Sequence, residues 1–321
     1  MNSKYIWLNG EMLETSRATV PFLTVGLHYG VGVFEGIRAY DTARGPAVFR
    51  LRDHLVRMEG SAKILGFRDV PYSVDELVAA TVETVRANGF GACYIRPLVY
   101  LAEGGWNLTI DTGKPHVGIA VWEQTVYAGR DLSKGVKATV TSFTRSHPNA
   151  NMTKAKVCGN YANSVLAKTE AFRNGFDEAI MLDPEGYVAE CTGANLLLVR
   201  GGRLISPPLD AILDGVTRNT LMQLAGEMGL EVEERRISRD SLYLADEAFV
   251  CGTAAEVLPI IEIDRRPVRD GRPGPVTLRL QAAYMDAVHG RHARSDEWLE
   301  YVGVVPRSVE NSGDFVGRRV P

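Results

Sequence analysis

Lys156 opens the stretch Lys156-Val157-Cys158-Gly159-Asn160-Tyr161, and thirty-four residues further on Glu190 lies in Val188-Ala189-Glu190-Cys191-Thr192-Gly193-Ala194-Asn195. Two Gly/Thr turns follow, Gly215-Val216-Thr217-Arg218 and Gly252-Thr253-Ala254-Ala255. A lysine amine attacks carbonyl carbon when it is neutral, and a buried carboxylate keeps a facing pyridine nitrogen protonated. Turns rich in free N–H groups cradle phosphate. Together these are the parts that hold pyridoxal phosphate. The amine forms a Schiff base with its aldehyde, the carboxylate meets its ring nitrogen and the turns take its phosphate.

The neighbours of each residue refine this. Val157, Cys158 and Gly159 are small or apolar, a setting suited to a neutral amine nucleophile. Lys154 is two residues from Lys156 and on a strand would share its face, so spacing does not decide which of the two is the base. Tyr161 is placed either to hold a phenolic oxygen of the cofactor or to pack in a helix. Gly215-Val216-Thr217-Arg218 lies where a helix begins, so its N–H groups, the positive end of the dipole and the Thr217 hydroxyl suit a phosphate. Arg57 offers a fork donor to the same group. Tyr94 and Arg96 alternate with Cys93 and Ile95, so on a strand they face one side as a carboxylate clamp. Phe34-Glu35-Gly36-Ile37-Arg38 adds an aromatic wall, a close backbone approach at Gly36 and an arginine. Gly30, Gly32 and Gly36 lack the spacing of a dinucleotide fingerprint, and no GxxxxGK[ST] occurs. His289 and His292 sit in a polar tail, and no metal is expected.

These residues need elements to position them. Tyr5–Leu8 before Asn9-Gly10 reads as a hairpin strand. Leu55, Met58, Ala62 and Leu65 fall on one face of a helix from Asp53 to Leu65. Ser73-Val74-Asp75-Glu76 is a capping box for a helix running to about Asn88-Gly89. Ala92–Leu101 reads as a strand that Pro97 makes an edge or a bulged one, and His116–Trp122 as another. Glu123–Gly135 is the expected link between residues 1–122 and a second unit, 136–321. The second unit opens on a strand, Val136–Phe143. After Asn160 comes a helix with Ala162, Val165, Leu166 and Thr169 on one side. Hairpins are expected at 179–189 and 196–205, then a helix at Val216–Met228 ending at Gly229. Strands near Val232–Ile237, Ala248–Cys251 and Leu258–Ile263 and a helix near Val276–Val288 follow. Residues 306–321 read as a loosely held tail. The fold class is α/β (α+β), two units with mixed, largely antiparallel sheets and flanking helices.

Bulk composition sets the outer limits. The chain has 321 residues, 45% hydrophobic and 23% charged, and a net charge of −3 from 36 basic and 39 acidic residues. That balance gives no general pull toward nucleic acid or anionic membrane. No apolar run approaches the ~20 residues of a membrane span. Cys93, Cys158, Cys191 and Cys251 form no CxxC pair, so reduced thiols in a cytoplasmic protein are expected.

Taken together, the stretches resemble the class IV, fold-type IV pyridoxal phosphate aminotransferases, and within them the branched-chain amino acid aminotransferases. The likeness runs from Tyr5-Ile6-Trp7-Leu8-Asn9-Gly10-Glu11 to about Trp298. It includes Leu27-His28-Tyr29-Gly30, Phe34-Glu35-Gly36-Ile37-Arg38, Tyr94-Ile95-Arg96-Pro97, Ser241-Leu242-Tyr243-Leu244-Ala245-Asp246-Glu247 and Gly252-Thr253-Ala254-Ala255-Glu256. The resemblance implies a D-amino acid aminotransferase-like fold and a homodimer or larger assembly with shared sites. It implies transamination between Leu, Ile or Val and 2-oxoglutarate. It makes Lys156 the Schiff-base residue, with Tyr161 on the phenolic oxygen, Glu190 on the ring nitrogen and Leu213 against the ring. Arg57, Val216, Thr217 and Thr253 take the phosphate. Thr253, Ala254 and Tyr94 match positions for the substrate α-carboxylate, and Arg96 the residue for the distal carboxylate of glutamate. Tyr29, Phe34, Gly36 and Tyr127 match side-chain pocket positions, and Arg38 belongs to the same substrate set. Departures from the pattern are Cys158, Cys191-Thr192-Gly193-Ala194, Gln124 and the stretch 102–107. Other readings within the fold are a D-amino acid or (R)-amine transaminase and an aminodeoxychorismate lyase. A pyridoxal phosphate-binding protein without turnover is the reading from another class.

Overall fold

The structure, a computed structural model, describes residues 2–123 and 134–303. Most of the expected link 123–135, with Gln124 and Tyr127, and the tail 306–321 lie outside the described residues. The first part of the chain forms β1 (Tyr5–Leu8), β2 (Glu11–Glu14), β3 (Gly32–Phe34), β4 (Ile37–Thr42), β5 (Gly45–Phe49), β6 (Cys93–Glu103) and β7 (Lys114–Trp122). The second forms β8 (Val136–Val140), β9 (Glu178–Leu182), β10 (Val188–Cys191), β11 (Asn195–Arg200), β12 (Arg203–Ser206), β13 (Val232–Glu234), β14 (Glu247–Gly252), β15 (Glu256–Ile263), β16 (Arg266–Pro267) and β17 (Leu299–Tyr301). The helices are α1 (Val25–Tyr29), α2 (Leu51–Leu65), α3 (Val74–Asn88), α4 (Tyr161–Arg173), α5 (Val216–Glu227), α6 (Arg239–Tyr243), α7 (Pro275–Val288) and α8 (Ser295–Trp298).

Among the described residues the strands make two sheets, of eight and nine strands. The first runs β17-β5-β4-β6-β7-β1-β2, with β3 also on β6. The second runs β10-β9-β8-β15-β14-β11-β12-β13, with β16 on β15. Only β8–β9, β8–β15 and β12–β13 pair in parallel, as the run of short hairpins predicts. β17 returns from the far end of the chain and lays Leu299 opposite Phe49 of β5.

Local chemistry explains most of these elements. Asn9 and Gly10 take φ of 50° and 90°, the left-handed pair that a tight hairpin between right-twisted strands requires. The Ser73 hydroxyl accepts the Glu76 N–H at 3.3 Å and the Glu76 carboxylate accepts the Ser73 N–H at 2.8 Å, closing the capping box of α3. α2 begins at Leu51 rather than Asp53 and buries Leu55, Met58 and Ala62 against Ile37, Ile95 and Val99.

Three expectations change. Of the edge or bulged strand expected around Pro97, the edge is not found: β6 is central, flanked by β7 on one side and by β3 and β4 on the other, and its register against β7 shifts between Leu101 and Glu103. Pro97 is tolerated because it sits where β3 stops and β4 starts. The Glu35 N–H still donates to its carbonyl at 2.9 Å, and no ladder bond is asked of the proline nitrogen. Helix α4 turns Ala162, Val165 and Leu166 outward, and it buries Ala167 and Ala171 against Ala179 and Met181 of β9, with Ser164 also buried. Small residues win that contact because they let the helix approach the sheet closely. Residues 153–155 form a turn instead of a strand, so Lys154 is exposed and the alternation that would align it with Lys156 is absent.

Candidate active site

One cleft is lined by residues from both parts of the chain. Gly36, His54, Arg57 and Tyr94 come from the first; Lys156, Tyr161, Glu190, Leu213, Val216, Thr217, Thr253 and Ala254 come from the chain of the second. Lys156 is the meeting point. Its N–H donates to the Ser61 hydroxyl of α2 at 3.1 Å, its carbonyl accepts the Phe34 N–H at 3.1 Å, and Val157 bridges Val33. The first sheet therefore fixes the backbone from which the amine of the second unit projects. Nζ lies 2.7 Å from the Tyr161 hydroxyl and 5.0 Å from the centre of the Phe34 ring. Lys154 does not line the cleft.

Glu190 lines the same cleft, buried on β10. Its carboxylate pairs with Arg145 at 2.7 Å, accepts the Asn195 amide at 3.0 Å and faces the Leu213 N–H at 3.3 Å. Burial pushes the carboxyl above its usual range, and Arg145 and the Leu213 amide draw it only part of the way back. Such a group is a ready acceptor for a proton held on a facing nitrogen.

Arg57 enters from α2 with its guanidinium already oriented. Nε and Nη2 donate to the two Glu35 oxygens at 2.7 and 2.8 Å, and Nη1 donates to the Asp214 carbonyl at 2.6 Å. Three of its five N–H donors are thus used, and Arg57 lines the cleft. Glu35 is fully buried and also receives the His54 Nδ1 at 2.8 Å. Burial opposes its charge, yet Arg57, with His54, outweighs that and holds the carboxyl well below the usual carboxylate range. Burial in turn lowers the His54 pKa, against the pull of Glu35.

Two turns line the same cleft as Arg57. α5 starts at Val216 after Gly215, and no side chain caps its first-turn N–H groups. A Cβ on Gly215 would overlap the Asn195 amide oxygen, so only glycine lets the turn close on β11. The second turn carries Thr253 and Ala254 between β14 and β15, and Glu256 at its end takes φ of 53°.

The remaining expected residues divide into a near set and a far set. Phe34 packs edge-on against Tyr161 at 4.8 Å, with the Arg96 guanidinium 4.6 Å from the centre of its ring. Arg38 does not line the cleft; it pairs with Glu256 at 2.8 Å and so braces the second turn. Tyr29 is exposed beside Trp106, 5.8 Å between rings. Tyr127 lies outside the described residues.

The profile of the amino-transferase class IV family matches residues 32–263, which span the whole cleft. The chain belongs to the class IV aminotransferases. It is 49% identical to the branched-chain-amino-acid aminotransferase of Pseudomonas aeruginosa over 92% of this chain and 97% of that protein. The corresponding Escherichia coli (strain K12) protein is 44% identical over 93% and 97%. A solved T.th. branched-chain amino acid aminotransferase, complexed with N-(5'-phosphopyridoxyl)-L-glutamate, superposes with a TM-score of 0.89. It is 44% identical and covers 94% of this chain and 99% of that one.

In this class IV aminotransferase four site residues had no sequence signal of their own. Arg145 and Asn195 hold Glu190, and His54 and Ser61 hold Glu35 and Lys156. A single Arg, Asn, His or Ser carries no spacing pattern; Arg145, His54 and Ser61 act on partners distant in the chain, and Asn195 on Glu190 across the turn between β10 and β11.

Proposed function

We propose that the protein is a pyridoxal phosphate-dependent aminotransferase that moves the amino group of Leu, Ile or Val to 2-oxoglutarate. The observation that carries this is the Lys156 amine 2.7 Å from the Tyr161 hydroxyl, in one cleft with the buried Glu190 and two N–H-bearing turns. The names of the similar proteins support the substrate class, and the phosphopyridoxyl-glutamate of the T.th. complex supports the cofactor and the acidic partner.

The residues present fit the cofactor. The uncapped N–H groups at Val216–Thr217, the Thr253 turn and Arg57 form a dianion cradle, and Glu190 has the raised basicity suited to a pyridinium. When bound, pyridoxal phosphate supplies an electron sink conjugated to the substrate α-carbon. Lys156 Nζ is the group that carries the α-proton, and the Tyr161 hydroxyl keeps that amine in place. Glu190 holds the ring-nitrogen proton, Arg145 and Asn195 orient Glu190, and Leu213 walls the ring face. Tyr94, Thr253 and Ala254 take the α-carboxylate. Phe34 and Gly36 border the apolar side chain, with Tyr29, Arg38 and Tyr127 in the same set, and Arg96 takes the distal carboxylate of the acidic substrate.

The same proposal includes a homodimer or larger assembly. Phe22, Leu23, Leu27, Trp106 and Leu108 around α1, and Val165, Leu166 and Phe172 on α4, are exposed apolar residues that a second copy would cover. Residues 1–122 and 136–321 act as the two walls of the site, joined through 123–135. Among the described residues no helix is long and apolar enough to cross a membrane, and all four cysteines are free, which suits the reducing cytoplasm.

The test is an absorbance spectrum of the holoenzyme and of Lys156→Ala, before and after L-leucine. The expected result is a cofactor band in the wild type that L-leucine shifts and D-leucine does not, with no shift in the variant. A band silent to L-leucine but shifted by D-amino acids or amines would move the protein to the other readings of the fold. No band after adding pyridoxal phosphate would end the proposal.

A further inference from the structure

Arg96 differs from every other sheltered arginine among the described residues. Arg38, Arg50, Arg57, Arg145, Arg218, Arg235 and Arg294 each have a carboxylate within ion-pair distance. Arg96 has none among the described residues, and its buried Nε has no acceptor. Its guanidinium instead lies among three rings: 4.6 Å from the centre of Phe34, 5.5 Å from Tyr94 and 5.8 Å from Trp122. Among the described residues, one long hydrogen bond, 3.5 Å to the Tyr94 hydroxyl, is its side chain's polar tether. Sheet register builds this cage. Tyr94 of β6 is directly opposite Trp122 of β7, with rings 5.0 Å apart, and Arg96 is two residues along the same face.

We infer that Trp122, outside the cleft lining, is a specificity-determining positioning residue that holds Arg96 by its ring face so that the cation stays uncompensated for a substrate carboxylate. The chemistry is a difference between two ways of fixing a guanidinium. A carboxylate partner would fix it and also cancel its charge. A ring face fixes it through the quadrupole and leaves the charge available. An incoming carboxylate then finds a positioned, unneutralised fork, while an apolar side chain meets only ring walls. One site can thereby accept both substrate classes without a resident anion that the acidic substrate must displace. This rests on the reading that Arg96 takes the distal carboxylate.

The experiment is single-turnover half-reactions of the holoenzyme with L-glutamate and with L-leucine, giving an apparent Kd and a limiting rate for each. The variants are Trp122→Leu, Trp122→Met, Trp122→Phe and Arg96→Leu. The expected result is that Trp122→Leu and Trp122→Met weaken glutamate about tenfold, the size of one partly sheltered cation–π contact. Leucine stays within about twofold and both limiting rates hold; Trp122→Phe, which keeps a ring face, recovers most of the loss. Trp122→Met retains apolar volume and carries the test if Trp122→Leu does not fold. Equal loss for both substrates, or no loss for glutamate while Arg96→Leu does lose it, overturns the inference alone. Glutamate binding unaffected by Arg96→Leu overturns the reading beneath it as well.

Discussion

Glu35→Gln takes one charge out of the interior and leaves its neighbours in place. The wild-type carboxylate is fully buried and accepts Arg57 at 2.7 and 2.8 Å, His54 at 2.8 Å and the Gly36 N–H at 3.2 Å. Glutamine keeps one acceptor oxygen and turns an NH2 toward a donor, so at least one donor faces a donor. The Arg57 side chain is only 15% exposed, so little water replaces the lost anion. Removing one partner of a buried pair costs about 3–5 kcal/mol. At about 2.1 cal/mol/K of unfolding entropy per residue, a chain of 321 residues shifts by ~1.5 °C per kcal/mol, so Tm should fall by roughly 5–8 °C. The assay is thermal unfolding of the cofactor-free protein at two scan rates, because large chains often unfold irreversibly. Acidification gives a second readout whose sign follows from the lowered pKa. A carboxyl depressed in the folded state contributes its stability in full above the usual carboxylate range and loses it as pH falls below that range. The gap between wild type and variant should therefore be widest near neutrality and narrow in acid. A variant that melts within about 2 °C of wild type at neutral pH, well inside the loss reasoned from a buried pair, or a gap that ignores pH, refutes the reasoning.

Two other substitutions probe the cleft. A Cβ on Gly36 would overlap the Tyr94 hydroxyl, so Gly36→Ala should displace that ring. Steady-state kinetics should show KM for L-leucine raised about tenfold or more, the effect of a modest overpacking penalty; an unchanged KM would remove Tyr94 from the substrate site. Glu190→Gln cannot hold a ring-nitrogen proton as an ionic partner. Its kcat should fall by about 10²–10³, as when one electrostatic contact to developing charge is lost, with the fold intact by circular dichroism. A kcat within a few-fold of wild type would exclude the role given to Glu190.

The short-range code was legible without coordinates. Asn9-Gly10, Gly201-Gly202 and the Ser73–Glu76 box specify their turns and cap because each depends on a few adjacent residues. Lys156, Glu190 and the two Gly/Thr turns could be singled out as candidates because amine, carboxylate and free N–H groups are identified by residue type alone. What needed the tertiary structure was every property set by residues far apart in sequence. Lys156 lines the cleft and Lys154 does not, because 153–155 turn and the Lys156 backbone is bonded to Ser61 of α2 and Phe34 of β3. Arg145 reaches Glu190, and Glu35 reaches Arg57 and His54, through packing that no local pattern encodes. The outward face of α4 follows the same rule: periodicity marks a stripe, and only the sheet beneath decides which stripe is covered. β17 joins β5 only once the second unit has brought the chain back. Sequence thus determined which groups could react; sheet register and packing decided which of them meet, and with what charge.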